Sequence, residues 1–154
     1  MRNMLQKFVL GIAITVAVAF AADNSLGTWK LNMEKSKFTP SAPVKSLTAT
    51  REASDDGVKV TTTGERADGT PINGSYTAKY DGKEYPVTGA PYDSIAIKQV
   101  NANTFTTTQK NSGTKYRTTT RAVISKDAKT MTVTVRGIGT DGERVSYTMV
   151  YEKQ

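Results

Sequence analysis

The stretch Thr104–Glu152, TFTTTQKNSGTKYRTTTRAVISKDAKTMTVTVRGIGTDGERVSYTMVYE, alternates apolar and polar side chains and is interrupted only by short turn segments. Its last run, Arg144–Glu152, places Val145, Tyr147 and Met149 on one face and more polar side chains on the other. Successive side chains of a β-strand point to opposite faces. The alternation therefore predicts strands that are buried on one side only.

The same period of two extends back along the chain to Gly27 and predicts about ten strands. They are Gly27–Asn32, Val44–Ser54, Val58–Arg66, Thr70–Tyr80, Lys83–Thr88, Ser94–Val100, Thr104–Lys110, Thr114–Ser125, Thr130–Gly137 and Arg144–Glu152. Asp-Gly pairs, as at Asp56-Gly57 and Asp141-Gly142, supply the positive φ that tight hairpins need. We therefore predict an all-β chain in which neighbouring strands pair antiparallel.

A meander of this length has two exposed edges unless it closes on itself. We predict an antiparallel up-and-down β-barrel of about 8–10 strands, with an open two-sheet sandwich as the alternative. The one long connection, Met33 to Pro43, is interpreted as a cap over one end of the barrel or as a short 3₁₀ turn. Asn73-Gly74 lies inside a predicted strand and is interpreted as a bulge or an extra turn.

The composition excludes several kinds of function. The 154 residues suffice for one domain, and they include no Cys and no His. Disulfides, thiol nucleophiles, thiolate zinc sites and Ser-His-Asp triads are therefore excluded. The alternation also places no Asp or Glu on an inner face. We expect a protein that is not an enzyme and has neither a metal site nor a cofactor.

Residues 1–21 have the pattern of a secretory signal peptide. Arg2 and Lys7 precede an uncharged apolar run from Phe8 to Phe20, and Ala19 and Ala21 give the small-residue cleavage pattern. The alternative, a retained membrane anchor, would need roughly 20 apolar residues. We predict cleavage after residue 21, a barrel domain over residues 22–154, and a secreted or periplasmic protein.

The inner faces mix aliphatic side chains with Tyr and Thr, which pack less tightly than branched aliphatics. This mixture favours a cavity, although a solid core with Thr pairs across strands is the alternative. The predicted cavity-lining residues are Tyr76, Tyr80, Tyr85, Ile95, Ile97, Phe105, Tyr116, Met131, Val133, Tyr147 and Met149.

The segment Ser25–Leu31 contains the motif Gly27-Thr28-Trp29 in the first predicted strand. A G-x-W at this place resembles the lipocalins and their calycin relatives, in particular small secreted bacterial proteins of lipocalin-like kind. The resemblance implies that Trp29 closes one barrel end and that a late Arg or Lys packs over its ring. Arg121 is the preferred cation, with Arg136 and Arg144 as alternatives.

The strand count is also similar to that of the fatty-acid-binding proteins, but one of their features is missing. The Arg-x-Tyr pair that holds a fatty-acid carboxylate is absent near the C-terminus. Arg144 and Tyr147 are three residues apart, so a regular strand turns them to opposite faces. This difference argues against a fatty-acid site at that position.

The outer face of the hairpin Thr104–Arg121 is basic, because Lys110, Lys115, Arg117 and Arg121 lie on it. Such a face attracts anionic membranes or polyanions, or serves solubility and protects the sheet exterior. We favour solubility, so membrane-surface contact is the less favoured interpretation. We expect no nucleic-acid binding, since no aromatic residues alternate with these cations.

These observations favour a monomeric barrel that binds a small apolar or amphipathic molecule without covalent chemistry. The affinity would come from burial of apolar surface. The alternative is a protein-binding module, an inhibitor or an interaction protein of the envelope, with a packed barrel and no ligand. Its contacts would lie on the loops at 38–44 and 86–92.

Overall fold

Ten antiparallel strands form one closed barrel over residues 22–154, the part of the chain that the computed structural model describes. The strands are β1 Gly27–Thr39, β2 Val44–Ser54, β3 Gly57–Arg66, β4 Pro71–Lys79, β5 Asp81–Thr88, β6 Ser94–Asn101, β7 Thr104–Lys110, β8 Arg117–Ile124, β9 Thr130–Ile138 and β10 Arg144–Lys153. The predicted signal peptide, residues 1–21, lies outside the described residues.

Each strand pairs with its neighbours in the chain, and β1 and β10 pair with each other to close the barrel. The closing ladder matches Trp29 with Lys153 and Leu31 with Tyr151. This pairing confirms the predicted closed antiparallel up-and-down β-barrel and rules out the open sandwich. Closure pairs the first and last strands, which would otherwise be the two edges of the meander.

The prediction that residues 33–43 cap the barrel is wrong for most of that segment, because β1 continues to Thr39. The ladder with β10 slips between Asn32 and Lys37 and then resumes. Ser36 fills the irregularity, since its Oγ donates to the Asn32 carbonyl (2.6 Å) and accepts from the Val150 amide (2.9 Å). Side-chain hydrogen bonds thus replace the backbone ladder across the bulge.

Two other local predictions are also wrong. Asn73-Gly74 forms neither a bulge nor a turn, because β3 and β4 stay in unbroken register past it. Gly74 is needed for space, since a Cβ there would lie 3.1 Å from the Gly89 carbonyl oxygen. Strand β8 begins at Arg117 rather than Thr114, because a turn held by the Asn111 and Thr114 side chains occupies those residues.

The predicted alternation of faces gives the core its composition. Buried side chains come from the inner faces of nearly every strand, among them Trp29, Val58, Ile97, Phe105 and Met131. These inner faces form one cluster, with tyrosines packed at its margin. Within residues 22–154, no helix is long and apolar enough to cross a membrane.

Strand β4 meets β5 at only two matched positions, Ser75 with Thr88 and Tyr76 with Val87. Pro86 in β5 has no backbone N–H to donate, which limits the ladder there. Toward Lys79 the two strands therefore separate, and this is the least continuous part of the wall.

Gly57 opens β3 where the backbone of β4 passes closest. A Cβ at this position would lie 1.9 Å from the Ala78 carbonyl oxygen, which belongs to rigid backbone. We expect Gly57→Ala to destabilise the fold by more than the 1–3 kcal/mol that is roughly typical of overpacking. The matched control is Gly113→Ala, whose Cβ would meet only the Asn111 Oδ1 at 3.5 Å. Urea unfolding monitored by circular dichroism compares the two, and equal stabilities would contradict the packing argument.

Candidate functional site

One end of the barrel is closed by Trp29, whose side chain is 0% exposed. The indole Nε1 donates to the Ser25 carbonyl oxygen (2.8 Å), so its one polar atom is satisfied. The Nζ of Lys153 lies 5.4 Å from the ring centroid. Gly27 makes room for that side chain, because a Cβ at Gly27 would lie 2.7 Å from the Lys153 Cε. In the Gly27-Thr28-Trp29 motif, Trp29 therefore supplies the ring and Gly27 leaves space for the Lys153 side chain beside it.

The cation over the Trp29 ring is Lys153 and not the preferred Arg121, so the prediction of Arg121 is wrong. Arg121 pairs with Thr106 and Thr134 on the outer face of the wall and is exposed. Arg136 and Arg144 are exposed as well. Lys153 fills the role because the closing ladder places it directly beside Trp29.

The N-terminal residues 22–26 cross the same end of the barrel. The Asn24 amide donates to the Ala102 carbonyl oxygen (3.1 Å), and Gln99 Nε2 donates to the Ala22 carbonyl oxygen (2.8 Å). The Tyr80 hydroxyl donates to the Asp23 carboxylate. These contacts link the start of the described chain to strand β6 and to the turns that follow β4 and β6.

Arg51 is an inward charged residue that the sequence analysis missed. In the β2–β3 ladder it lies opposite Val60, which is buried, so its side chain points into the barrel. Its Nε donates to Ser25 Oγ (3.1 Å), and Ser25 in turn donates to Asp23. The alternation of Leu47, Ala49 and Arg51 along β2 carries the signal, since it groups Arg51 with two apolar residues.

The charge of Arg51 has no direct carboxylate partner among residues 22–154. The ion pairs in this part of the chain join Lys35 with Glu152, Lys45 with Glu65, and Lys110 with Glu84. Burial by itself would lower the pKa of Arg51, but nearby Tyr76, Tyr80 and Asp23 outweigh it and raise that pKa. The guanidinium therefore stays charged inside the barrel.

Tyrosines surround the interior next to Arg51. Burial raises the pKa of Tyr92, Tyr151 and Tyr116 above the usual value, and the nearby Tyr76 adds to the rise for the first two. Tyr92 comes from the β5–β6 loop and stacks on Tyr116, with 5.9 Å between ring centroids and 23° between ring planes. The lumen thus combines one cation with several neutral hydroxyl groups.

The interior is not filled evenly. Phe105, Ile95 and Thr118 on β6–β8 are at most 2% exposed. On the wall formed by β2 and β3, the inward residues Leu47 and Thr62 are only half-buried. Leu47 and Thr62 therefore keep part of their surface accessible although they point inward. A cavity large enough for a guest molecule stays a prediction.

The predicted cavity-lining residues all face inward, but they fall into two groups. Deeply buried are Ile95, Ile97, Phe105, Met131 and Met149, and half-buried are Tyr76, Tyr80, Tyr85, Tyr116, Val133 and Tyr147. The first group belongs to the packed core, and the second keeps part of its surface accessible. The alternative of Thr pairing across strands also occurs, since the hydroxyls of Thr107 and Thr120 are 2.5 Å apart.

The aromatic residues of the loops proposed for protein binding turn toward the barrel. Phe38 packs against Tyr147, with ring centroids 5.3 Å apart, and Tyr92 stacks on Tyr116. These loops therefore do not present their large aromatic side chains to a partner. Within residues 22–154, no group of three or more acidic side chains is arranged to hold a metal ion.

Comparison with known proteins gives structural likeness only. No protein-family model matches the sequence, and no curated protein is significantly similar to it. Similar solved structures include EF1p2_mFAP2b bound to DFHBI, with a TM-score of 0.49 and 12% identity over 85% of this chain and 94% of that chain. Lobster apocrustacyanin A1 has a TM-score of 0.45 and 12% sequence identity, and the match covers 85% of this chain and 61% of that chain. A de novo designed fluorescence-activating β-barrel has a TM-score of 0.43 and 16% sequence identity, and the match covers 88% of this chain and 99% of that chain.

The raised tyrosine pKa values predict a loss of stability in alkali. A phenol whose pKa is higher in the folded than in the unfolded chain stabilises the fold fully below the unfolded value, about 10. That contribution is lost as the pH rises from there through the folded pKa. We expect the free energy of unfolding to fall above about pH 10, and less steeply in the double variant Tyr92→Phe/Tyr151→Phe.

Phenolate absorbance of the native protein, measured against the chain in urea, checks this expectation. The seven tyrosines of the unfolded chain should ionise together, whereas Tyr92, Tyr116 and Tyr151 of the native protein, whose pKa values are raised, should ionise at higher pH. Superimposable titration curves would show that the inward tyrosines are not shielded from water.

Proposed function

We propose that the barrel binds a small amphipathic molecule with an acidic group, without covalent chemistry and without catalysis. The observation that carries this proposal is the inward guanidinium of Arg51, which has no carboxylate within ion-pair distance among the described residues. Arg51 is half-buried, and a cation that is partly withdrawn from water is costly unless it is paired. An anionic group of a ligand would pair with it.

The surroundings of Arg51 support the rest of the ligand's chemistry. The hydroxyls of Tyr76 and Tyr151 supply neutral hydrogen-bond partners for an acidic head group. Toward the other end, half-buried Leu47 and Tyr147 offer apolar surface to a hydrocarbon portion. Trp29 and residues 22–26 close the end behind Arg51, so the ligand would enter from the opposite end.

Comparing the binding of an acid with that of the matching alcohol distinguishes the contribution of the acidic head group to the affinity from that of the hydrocarbon chain. We expect isothermal titration calorimetry to show saturable binding of dodecanoate and weaker binding of dodecanol. In Arg51→Met the affinity for dodecanoate should fall about tenfold to a hundredfold, the equivalent of a charged hydrogen bond of roughly 1.5–3 kcal/mol. The affinity for dodecanol should change little, and Arg51→Lys should retain part of the preference for the acid.

The matched control is Ser25→Ala, which removes the hydroxyl that Arg51 contacts but keeps the cation. Ser25→Ala should retain the preference for dodecanoate over dodecanol. If the role of Arg51 were purely structural, Ser25→Ala would lose affinity for dodecanoate as Arg51→Met does. Equal affinity of the native protein for acid and alcohol, or no saturable binding of either, would refute the proposal.

We further propose that the barrel works outside the cytoplasm, as a secreted or periplasmic protein. The support is the sequence pattern of residues 1–21, which ends in Ala19-Phe20-Ala21. N-terminal sequencing of protein recovered from the periplasm or the medium should begin at Ala22. Recovery of the full-length chain from the cytoplasm alone would contradict export.

A further inference from the structure

An open groove of about 670 Å³ runs across the outer face of β6, β7, β8 and β9. It lies on the opposite side of the wall from the lumen, so it is independent of the site around Arg51. Three cations line it, Lys98, Arg121 and Arg136, together with threonines of β7, β8 and β9. No aromatic residue and no acidic residue is among its lining residues.

The strand register places these side chains in two rows. One row runs Lys98, Thr106, Arg121, Thr134 across the four strands. The second row, two residues along each strand, runs Ala96, Thr108, Thr119, Arg136. Neighbouring strands lie roughly 4.8 Å apart, so Lys98 and Arg121 project about 10 Å from each other with a hydroxyl between them.

The three cations are not neutralised by the described part of the chain. None of them takes part in the ion pairs of residues 22–154. In the β5–β6 ladder Asp81 lies opposite Lys98 and Glu84 lies opposite Ala96. No ion pair of the described residues joins Asp81 to Lys98: Asp81 accepts hydrogen bonds from the Tyr85 hydroxyl and the Lys83 amide, and Glu84 pairs with Lys110. The positive charge of the groove therefore faces solvent.

The position of Lys98 depends on a residue without a side chain. Gly82 lies in the groove wall, and a Cβ there would be 2.6 Å from the Lys98 Cε. The aliphatic part of Lys98 thus lies against the Gly82 backbone. The hydroxyls of Thr106, Thr108 and Thr119 make no side-chain hydrogen bond with the described residues, so they are available to a ligand.

We propose that this groove binds a linear anionic polysaccharide, with carboxylate or sulfate groups on the three cations and sugar hydroxyls on the threonines. The separation of the cations suits charges that repeat along an extended chain better than one compact anion. Single-stranded nucleic acid would need aromatic rings on which its bases stack, and the groove has none. A membrane surface would favour apolar side chains in the contact, whereas this floor consists mainly of hydroxyl and charged groups.

Two triple variants with the same change in net charge test the site. The groove variant is Lys98→Gln/Arg121→Gln/Arg136→Gln. The control variant is Lys30→Gln/Lys59→Gln/Lys79→Gln, which removes three exposed lysines from β1, β3 and β4. Binding to immobilised dextran sulfate and polygalacturonate is measured in about 0.15 M salt, where distant charges are screened. Neutral dextran serves as the uncharged reference.

We expect the native protein to bind at least one of the two polyanions and not neutral dextran. The groove variant should lose at least about tenfold in affinity, and the control variant should lose less than about twofold. Circular dichroism and Trp29 emission verify that both variants are folded.

Three results would overturn the proposal. Equal losses in the two variants would show attraction by net charge alone, and absence of binding to both polyanions would show no site. Binding to vesicles with anionic lipids that is tighter than to either polysaccharide, and lost in the groove variant, would assign the groove to a membrane surface. Arg51→Met should leave polysaccharide binding unchanged, so failure of the lumen proposal and failure of this one are distinguishable.

Discussion

The pairing of β1 with β10 is the constraint on which the rest of this structure depends. It satisfies the backbone groups of two strands that would otherwise be edges, and it separates an inside from an outside. It also brings the beginning and the end of the described chain together, so that Lys153 lies over the ring of Trp29. Without this ladder, neither the closed end nor the interior around Arg51 would exist.

Closure gives the two sides of the same wall different chemistry. Inward side chains of β7 and β8 include Phe105 and the bonded pair Thr107 and Thr120, which belong to a packed and satisfied interior. The outward residues between them, such as Thr106 and Arg121, line an open basic groove. One stretch of alternating sequence therefore contributes both to the interior and to the proposed surface site, and the groove is lined by Thr107 and Thr120 as well as by their outward neighbours.

The interior also shows how polar groups are accommodated in a barrel that has no disulfide. Arg51, Ser25, Asp23 and Tyr80 form a connected polar cluster at the closed end, and the described residues contain no buried side-chain polar atom without a partner. This cluster fixes residues 22–26 across the barrel. The same guanidinium thus holds the plug on one side and faces the lumen on the other, which joins the stability of the closed end to the proposed recognition of an acid.

The sequence by itself determined what depends on local pattern: ten strands, antiparallel neighbours, and the faces on which Ile97, Phe105 and Met149 lie. Alternation is a property of each strand alone, so it can be read without knowing what the strand pairs with. Only the tertiary structure decided that Lys153 rather than Arg121 meets Trp29, because that contact depends on the register between strands at opposite ends of the chain. The same holds for the meeting of Arg51 with residues 22–26 and for the entry of Tyr92 into the lumen, since the path of a terminal segment or a loop leaves no periodic signal.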